Sequence, residues 1–217
     1  MNANTQHWES ESDVFWEPAD DVTSEIKIRR SLFIGHLFPC KVSEEVRLVL
    51  ARVEAVHKDA THNCWGYSLG PEPRIEYASD DGEPAGTAGK PILAALRQSG
   101  MTNLMIVVTR YFGGIKLGVR GLIEAYGQAA TDAVSRAERI MKVRSRKLVI
   151  CLPYAIIGDV THLLNGNGMV DVPAWNYGAD VEVTASIRLS ATARTANLLD
   201  ELQARKLIYS WSWALPN

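Results

Sequence analysis

Long apolar runs are missing from this chain of 217 residues. The longest, such as Leu104 to Val108 and Leu148 to Leu152, fall far short of the ~18 residues a membrane span needs, so no bilayer crossing is expected. Lysine and arginine are absent from the first 21 residues, which hold six acids: Glu9, Glu11, Asp13, Glu17, Asp20 and Asp21. That is the opposite of a basic start followed by an apolar core, and no signal peptide is expected. Cysteine is scarce. Cys40, Cys64 and Cys151 are odd in number and widely spaced, with no Cys-x-x-Cys pair, which argues against a disulfide scaffold or a four-ligand zinc site. A reducing cytoplasm is the expected compartment. Several signatures of chemistry are absent too: no Gly-x-Ser-x-Gly, no His-Glu-x-x-His, no zinc-deaminase pattern, no Gly-Lys-Ser/Thr phosphate loop and no Gly-x-Gly-x-x-Gly after the first strand.

A large net charge is also lacking, since 23 Lys+Arg stand against 25 Asp+Glu. The balance hides an asymmetry. The leader carries −6, leaving 23 bases against 19 acids on the body. Six bases (Arg136, Arg139, Lys142, Arg144, Arg146 and Lys147) fall within twelve residues that contain one acid, Glu138. Such a cluster can meet phosphates, or simply solvate a helix end and a linker. Arg139 to Lys147 is the candidate secondary basic patch.

The pattern along the body is α+β. Alternation predicts strands at Glu25 to Arg29 and Ser31 to Cys40. A helix follows from Ser43, its expected N-cap, to near His57. Strands at His62 to Leu69 and Arg74 to Ala78 flank a Gly70-Pro71-Glu72-Pro73 turn. A helix then runs through Leu93 and Leu96 to about Ser99. The continuously apolar Asn103 to Thr109 is expected in the centre of the sheet. A long helix follows, roughly Val119 to Ile140, whose small residues allow close backbone approach. The remainder predicts strand Lys147 to Leu152, helix Ala155 to Leu164, strands Met169 to Pro173 and Val181 to Leu189, helix Thr192 to Ala204 and strand Leu207 to Trp213. That order is the βαββαβ of a ferredoxin-like domain. The expected division is an acidic arm, 1–21, a first domain, 22–141, and a second, 142–217.

Nine of the 16 glycines lie between residues 82 and 127, in or near two loops that each precede a helix. A helix start offers unpaired N–H groups to an anion, and glycine lets the backbone approach one. The first loop runs from Ser79 to Gly89 and contains Asp80, Asp81, Gly82, Glu83, Pro84, Gly86 and Thr87, with Lys90 beginning the helix. The second, Arg110-Tyr111-Phe112-Gly113-Gly114-Ile115-Lys116-Leu117-Gly118, is flanked by Arg120. Its cations suit phosphate and its aromatic rings suit a base. Alternatively, the glycines only shape two tight turns. Asp80, Asp81 and Glu83 could hold Mg²⁺ or cap turns. His62 and Cys64 share a strand face but stand roughly 6–7 Å apart at their bases, so packing is expected before nucleophilic catalysis.

The two loop motifs resemble those of the IMPACT family, specifically its bacterial YigZ-like members. Gly121-Leu122 and Ala125-Tyr126-Gly127 continue the match, and His62-x-Cys64 fits the upstream strand. The resemblance covers roughly residues 22 to 140. It implies a first domain with a two-layer fold shared with a ribosomal protein and elongation factor G, and a ferredoxin-like second domain. Val119-Arg120-Gly121 departs from the small residues many relatives carry. Eukaryotic relatives are linked to translation control through a kinase of an initiation factor, which implies binding rather than catalysis. The expectation is a non-catalytic cytoplasmic protein with no cofactor, no resident metal and no membrane partner. RNA, the ribosome or a protein of translation control would be its partner. The alternatives are a nucleotide-dependent phosphoryl-transfer enzyme, with Asp80 or Asp81 on Mg²⁺, and a regulator that binds protein partners alone.

Overall fold

The apolar run at Leu104–Tyr111 is buried along nearly all its length and forms the middle of a five-stranded sheet in the computed structural model, which describes residues 13–71 and 74–214. The described chain divides into two units, residues 15–142 and residues 13–14 with 143–214. In the larger unit the elements run β1 (Val14–Pro18), β2 (Val22–Ile28), β3 (Ser31–Pro39), α1 (Ser43–Val56), β4 (His62–Leu69), β5 (Ile75–Ser79), α2 (Gly89–Ser99), β6 (Leu104–Tyr111), α3 (Gly118–Arg136) and β7 (Arg139–Val143). The sheet order is β2-β3-β6-β4-β5 with every pair antiparallel. Because side chains alternate across a strand, Phe33, Leu37, Cys64, Ile106 and Val108 share one face, under α2 and α3. The other face carries Phe38, Met105 and Val107 against Val46 and Val53 of α1. The α2/α3 layer on the sheet is the expected two-layer core, and α1 covers part of the far side.

Small residues set the helix-to-sheet distance. Ala125, Ala129, Ala130 and Ala133 of α3 are buried, and a Cβ on Gly35 of β3 would stand 2.6 Å from the Ala129 carbonyl oxygen. At α1 the expected cap at Ser43 is not used. Glu45 reaches back instead, its carboxylate accepting the N–H groups of Lys41 and Val42.

One expectation needs correction here. The long helix expected from Val119 to Ile140 ends at Arg136, and Arg139–Val143 is strand β7, paired with β1. Part of the expected acidic arm supplies that partner strand. Residues 14–18 are a strand, and Glu17 is buried where it accepts a hydrogen bond from Asn103 Nδ2 at 2.9 Å. Residues 1–12 of that arm, 72–73 of the expected turn and 215–217 lie outside the described residues.

The smaller unit holds β8 (Ser145–Leu152), α4 (Ile157–Gly166), β9 (Ala174–Tyr177), β10 (Val181–Arg188), α5 (Thr192–Ala204) and β11 (Ser210–Trp213). Its sheet order, β11-β8-β10-β9, is antiparallel throughout and is the split βαβ arrangement of a ferredoxin-like fold. Leu148, Ile150, Val181, Val183 and Ile187 form the face under the helices, joined by Trp175, Trp211 and Trp213. Asp13 is buried within this unit, and its carboxylate accepts the Ser190 N–H at 2.9 Å. The strand expected at Met169 to Pro173 lies later, at Ala174–Tyr177. Asp171 bonds both the N–H and the hydroxyl of Ser186, and Pro173 has no N–H to give a ladder, so continuous pairing starts beyond it. Among the described residues no helix is long and apolar enough to cross a membrane.

Candidate functional site

The first Gly-rich loop folds around its own anion. Asp80, at the end of β5, points its carboxylate at the start of α2. Oδ1 accepts the N–H groups of Ala88 and Gly89 at 2.9 and 2.8 Å, and Oδ2 accepts that of Gly86 at 2.8 Å. Gly86 sits at φ +78°, which turns its N–H inward and is a conformation L side chains rarely adopt. Partial burial raises the Asp80 pKa, but the bonds from Gly86, Gly89 and Ala88 and the charge of Lys90 outweigh it and hold the carboxyl below its usual value. The N–H groups expected to meet an external anion here are thus taken by Asp80. Loop residues expected at that site are engaged internally as well. The Thr87 hydroxyl donates to the Pro84 carbonyl at 2.7 Å, and Gly82, at φ +83°, turns the chain beside the His62 ring.

The neighbouring acids are engaged in the same way. Asp81 Oδ2 accepts the Asn63 N–H at 2.6 Å, and its carbonyl accepts His62 Nδ1–H at 2.7 Å. Glu83 is buried, and its Oε1 accepts Arg110 Nη1 at 2.5 Å and the Tyr126 hydroxyl at 2.8 Å, with His62 Nε2 at 3.9 Å. The three carboxylates point to different partners. Asp80 and Asp81, the carboxylates that the phosphoryl-transfer alternative would place on Mg²⁺, both accept backbone N–H groups.

Cys64 lies beneath this loop and donates its thiol to the Asp80 carbonyl at 3.0 Å. Burial pushes its pKa up to about 12, reinforced by the charges of Glu83, Asp81 and Asp80 and only partly offset by the Tyr126 hydrogen bond. A thiol so disfavoured as thiolate is a poor nucleophile. Burial, with Cys64 and Glu83 alongside, also raises the Tyr126 hydroxyl above its ordinary value.

The second loop is different. Arg110, expected there to meet an anion, faces inward. It is 6% exposed, sits 5.5 and 5.3 Å from the ring centres of Phe33 and Phe112, and pairs with Glu83. Pairing β6 with β3 and β4 places Arg110 opposite Phe33 and His62, on the helix-covered face, which is why it is not at the surface. Tyr111 bonds His57 Nδ1 at 2.8 Å. The Phe112 N–H goes to the Thr61 hydroxyl, and the Gly113 N–H to that of Ser31. Gly114, at φ +83°, and Gly118 shape the turn into α3, where Lys116 and Arg120 stand exposed. Arg120 is bonded to Glu124 at 2.9 Å. Lys116 has no ion-pair partner among the described residues.

Two arginines join this loop that the sequence patterns did not single out as site residues. Arg29 and Arg30 form the two-residue turn between β2 and β3, at φ 45° and 69°. A Cβ on Gly113 would lie 2.1 Å from the Arg30 carbonyl carbon, so this turn rests directly on the loop. The signal for them is the Arg29-Arg30 pair between two alternating segments, of which Arg29 alone falls within the expected strand.

The secondary basic patch is divided between the units. Arg139 lies over the Trp16 ring and Lys142 is 3.9 Å from Glu17, both in the larger unit. In the smaller unit the Arg144 N–H donates to the Asp13 carbonyl at 2.7 Å, and Arg146 lies over the Trp213 ring. Lys147 is on β8, exposed.

An antiparallel α+β unit with an internally capped Gly-rich loop and a second, cation-bearing one, followed by a ferredoxin-like unit, defines the class of protein. The Impact N-terminal domain family matches residues 29–134. The chain is 33% identical over 178 residues, 82% of each chain, to IMPACT family member YvyE of Bacillus subtilis (strain 168). It is 32% identical over 193 residues to an IMPACT family member of Haemophilus influenzae, covering 88% of this chain and 93% of the relative. A solved structure described as that of a hypothetical protein superposes with a TM-score of 0.65 at 30% identity, over 94% of this chain and 98% of that one. The chain belongs to the IMPACT family.

Proposed function

We propose that this protein is a non-catalytic cytoplasmic RNA-binding protein that acts with the ribosome in translation control. The observation that carries the reading is a contrast. The groups able to do chemistry, Cys64, Glu83, Tyr126 and Asp80, are bonded to one another or to backbone, whereas the second loop presents Lys116, and the β2–β3 turn beside it Arg29 and Arg30, to solvent with no ion-pair partners among the described residues. Exposed, unpaired cations on a rigid loop favour a phosphate backbone. The near-zero net charge fits moderate affinity, carried by local contacts and not by long-range attraction. Membership of the IMPACT family supports placing this binding in translation control.

The test is binding of the full chain to a fluorescent single-stranded RNA and cosedimentation with ribosomes, each at low and moderate salt. Neutralised phosphates release counterions, so affinity falls with a log–log slope of about −0.7 per phosphate contacted on a single strand. Lys116→Ala is expected to weaken binding and to lower that slope by close to one contact. No binding to either partner at low salt refutes the reading.

A further inference from the structure

The β2–β3 turn and the start of α3 border an open cavity of about 530 Å³, within the range of small-ligand sites. Its lining combines Ile28 and Leu117, half-buried and apolar, with Arg29 and Arg120, and with Glu124 and Gln128 of α3. We propose that this cavity seats one nucleotide: phosphate on Arg29 and Arg120, the base against Ile28 and Leu117, and the base edge on Glu124 and Gln128. As a subsite for an RNA chain, the inference rests on the RNA-binding reading above.

Three observations favour a nucleotide over a bare anion. First, the cations come from two segments: Arg29 of the β2–β3 turn, which rests on Gly113 through the Arg30 backbone, and Arg120 of α3 line the cavity together. Glu124 is the one acid in that lining, and it is tied to Arg120 through Nε, so the outer guanidinium nitrogens can meet a phosphate. Second, a phosphate alone would leave the apolar wall of Ile28 and Leu117 uncovered, whereas a base covers it. Third, a two-residue hairpin with both φ positive favours Asn-Gly, yet here carries two arginines. Turn geometry does not explain that choice, and at Arg29 the charge it brings to the cavity does. Glu124 accepts hydrogen bonds only; an exocyclic amine such as that of adenine can donate to it, whereas the one edge donor of uracil, N3–H, lies between two carbonyls that repel a carboxylate, so adenine is favoured.

The experiment uses the full chain with fluorescein-labelled oligo(A) and oligo(U) twelve-mers and, separately, AMP. Arg29→Asn with Arg30→Gly removes both charges while installing the preferred turn, so the melting temperature stays level or rises. Wild type is expected to bind oligo(A) at least fivefold more tightly than oligo(U). The double variant loses at least tenfold in affinity, and Glu124→Gln abolishes the base preference. Oligonucleotide binding untouched by the double variant overturns the subsite and leaves the RNA reading standing. AMP binding that the double variant abolishes, without oligonucleotide binding, assigns the cavity to a free nucleotide and refutes the RNA reading. Absence of binding by AMP and both oligonucleotides overturns both.

Discussion

Asp80→Asn keeps the shape of the capping side chain and removes its charge. Three backbone N–H groups, those of Gly86, Ala88 and Gly89, point at the carboxylate within 2.9 Å. An amide has one acceptor and one donor end. Its best orientation keeps oxygen on Ala88 and Gly89 and turns –NH₂ toward the Gly86 N–H. Losing that bond and setting two donors face to face costs about 1–2 kcal/mol. Weakening the other two from charge-assisted to neutral costs about 1 kcal/mol more, after allowance for water reaching a half-buried side chain. A loss of about 2–3 kcal/mol corresponds to a fall in melting temperature of roughly 5–10 °C for a chain of this size. Urea titration followed by circular dichroism measures it. The pH dependence adds a second check. The folded-state pKa lies below the ordinary 3.8, so the capping contribution is fully present above that pH and disappears as pH falls through the folded value. The gap between wild type and Asp80→Asn, which does not titrate, should hold from neutral pH to about pH 4 and narrow below it. A difference under about 0.5 kcal/mol at neutral pH would refute the internal cap, since that is the range of surface substitutions without a structural role.

Three further outcomes follow from the same geometry. Glu83→Gln leaves Arg110 buried without its counter-charge and should cost about 3–5 kcal/mol by urea titration, while Glu83→Gln with Arg110→Met should recover part of that loss. Gly113→Ala drives a methyl into the Arg30 backbone at 2.1 Å, whereas Gly114→Ala meets open space and only a positive φ, about 1–2 kcal/mol. The first should therefore be the more destabilising, and equal melting temperatures would contradict the packing of turn on loop. A thiol reagent at pH 8 should modify Cys151 in the native protein and leave Cys40 and Cys64 untouched, as burial holds both of those near a pKa of about 12. Rapid native labelling of Cys64 would return it to the list of candidate nucleophiles.

Local patterns in the sequence marked the elements that are stabilised locally. The apolar run of β6 reads as a central strand because both of its faces are covered, and the alanines of α3 read as close packing because nothing larger fits over Gly35. The errors lie where a distant segment decides. Arg139–Val143 continues a helical stretch on paper, and it becomes a strand because β1, more than a hundred residues earlier, offers an edge. Residues 14–18 give no sign of that edge in the sequence, because they lie in an acidic stretch without a periodic pattern. At β9 the decisive residue was legible: Pro173 cannot donate to a ladder, so a strand drawn through it was the less favourable assignment.

The candidate site divides along the same line. Glycines before a helix promise a nest of N–H groups, and such a nest must meet an anion, water or a side chain. Which of the three it meets depends on whether the chain can return a carboxylate to it. Here the first loop does, because Asp80 lies at the loop's entry, six to nine residues before the N–H groups it accepts, and Gly82 and Gly86 at positive φ fold the intervening residues back. The second loop has no acid between Arg110 and Arg120, so nothing within it can serve that purpose. Its cations consequently remain at the surface except for Arg110, whose strand register turns it toward Glu83 of the first loop. The first loop thus fixes the second through a buried ion pair, and the cations left exposed are Lys116, Arg120 and those of the Arg29–Arg30 turn.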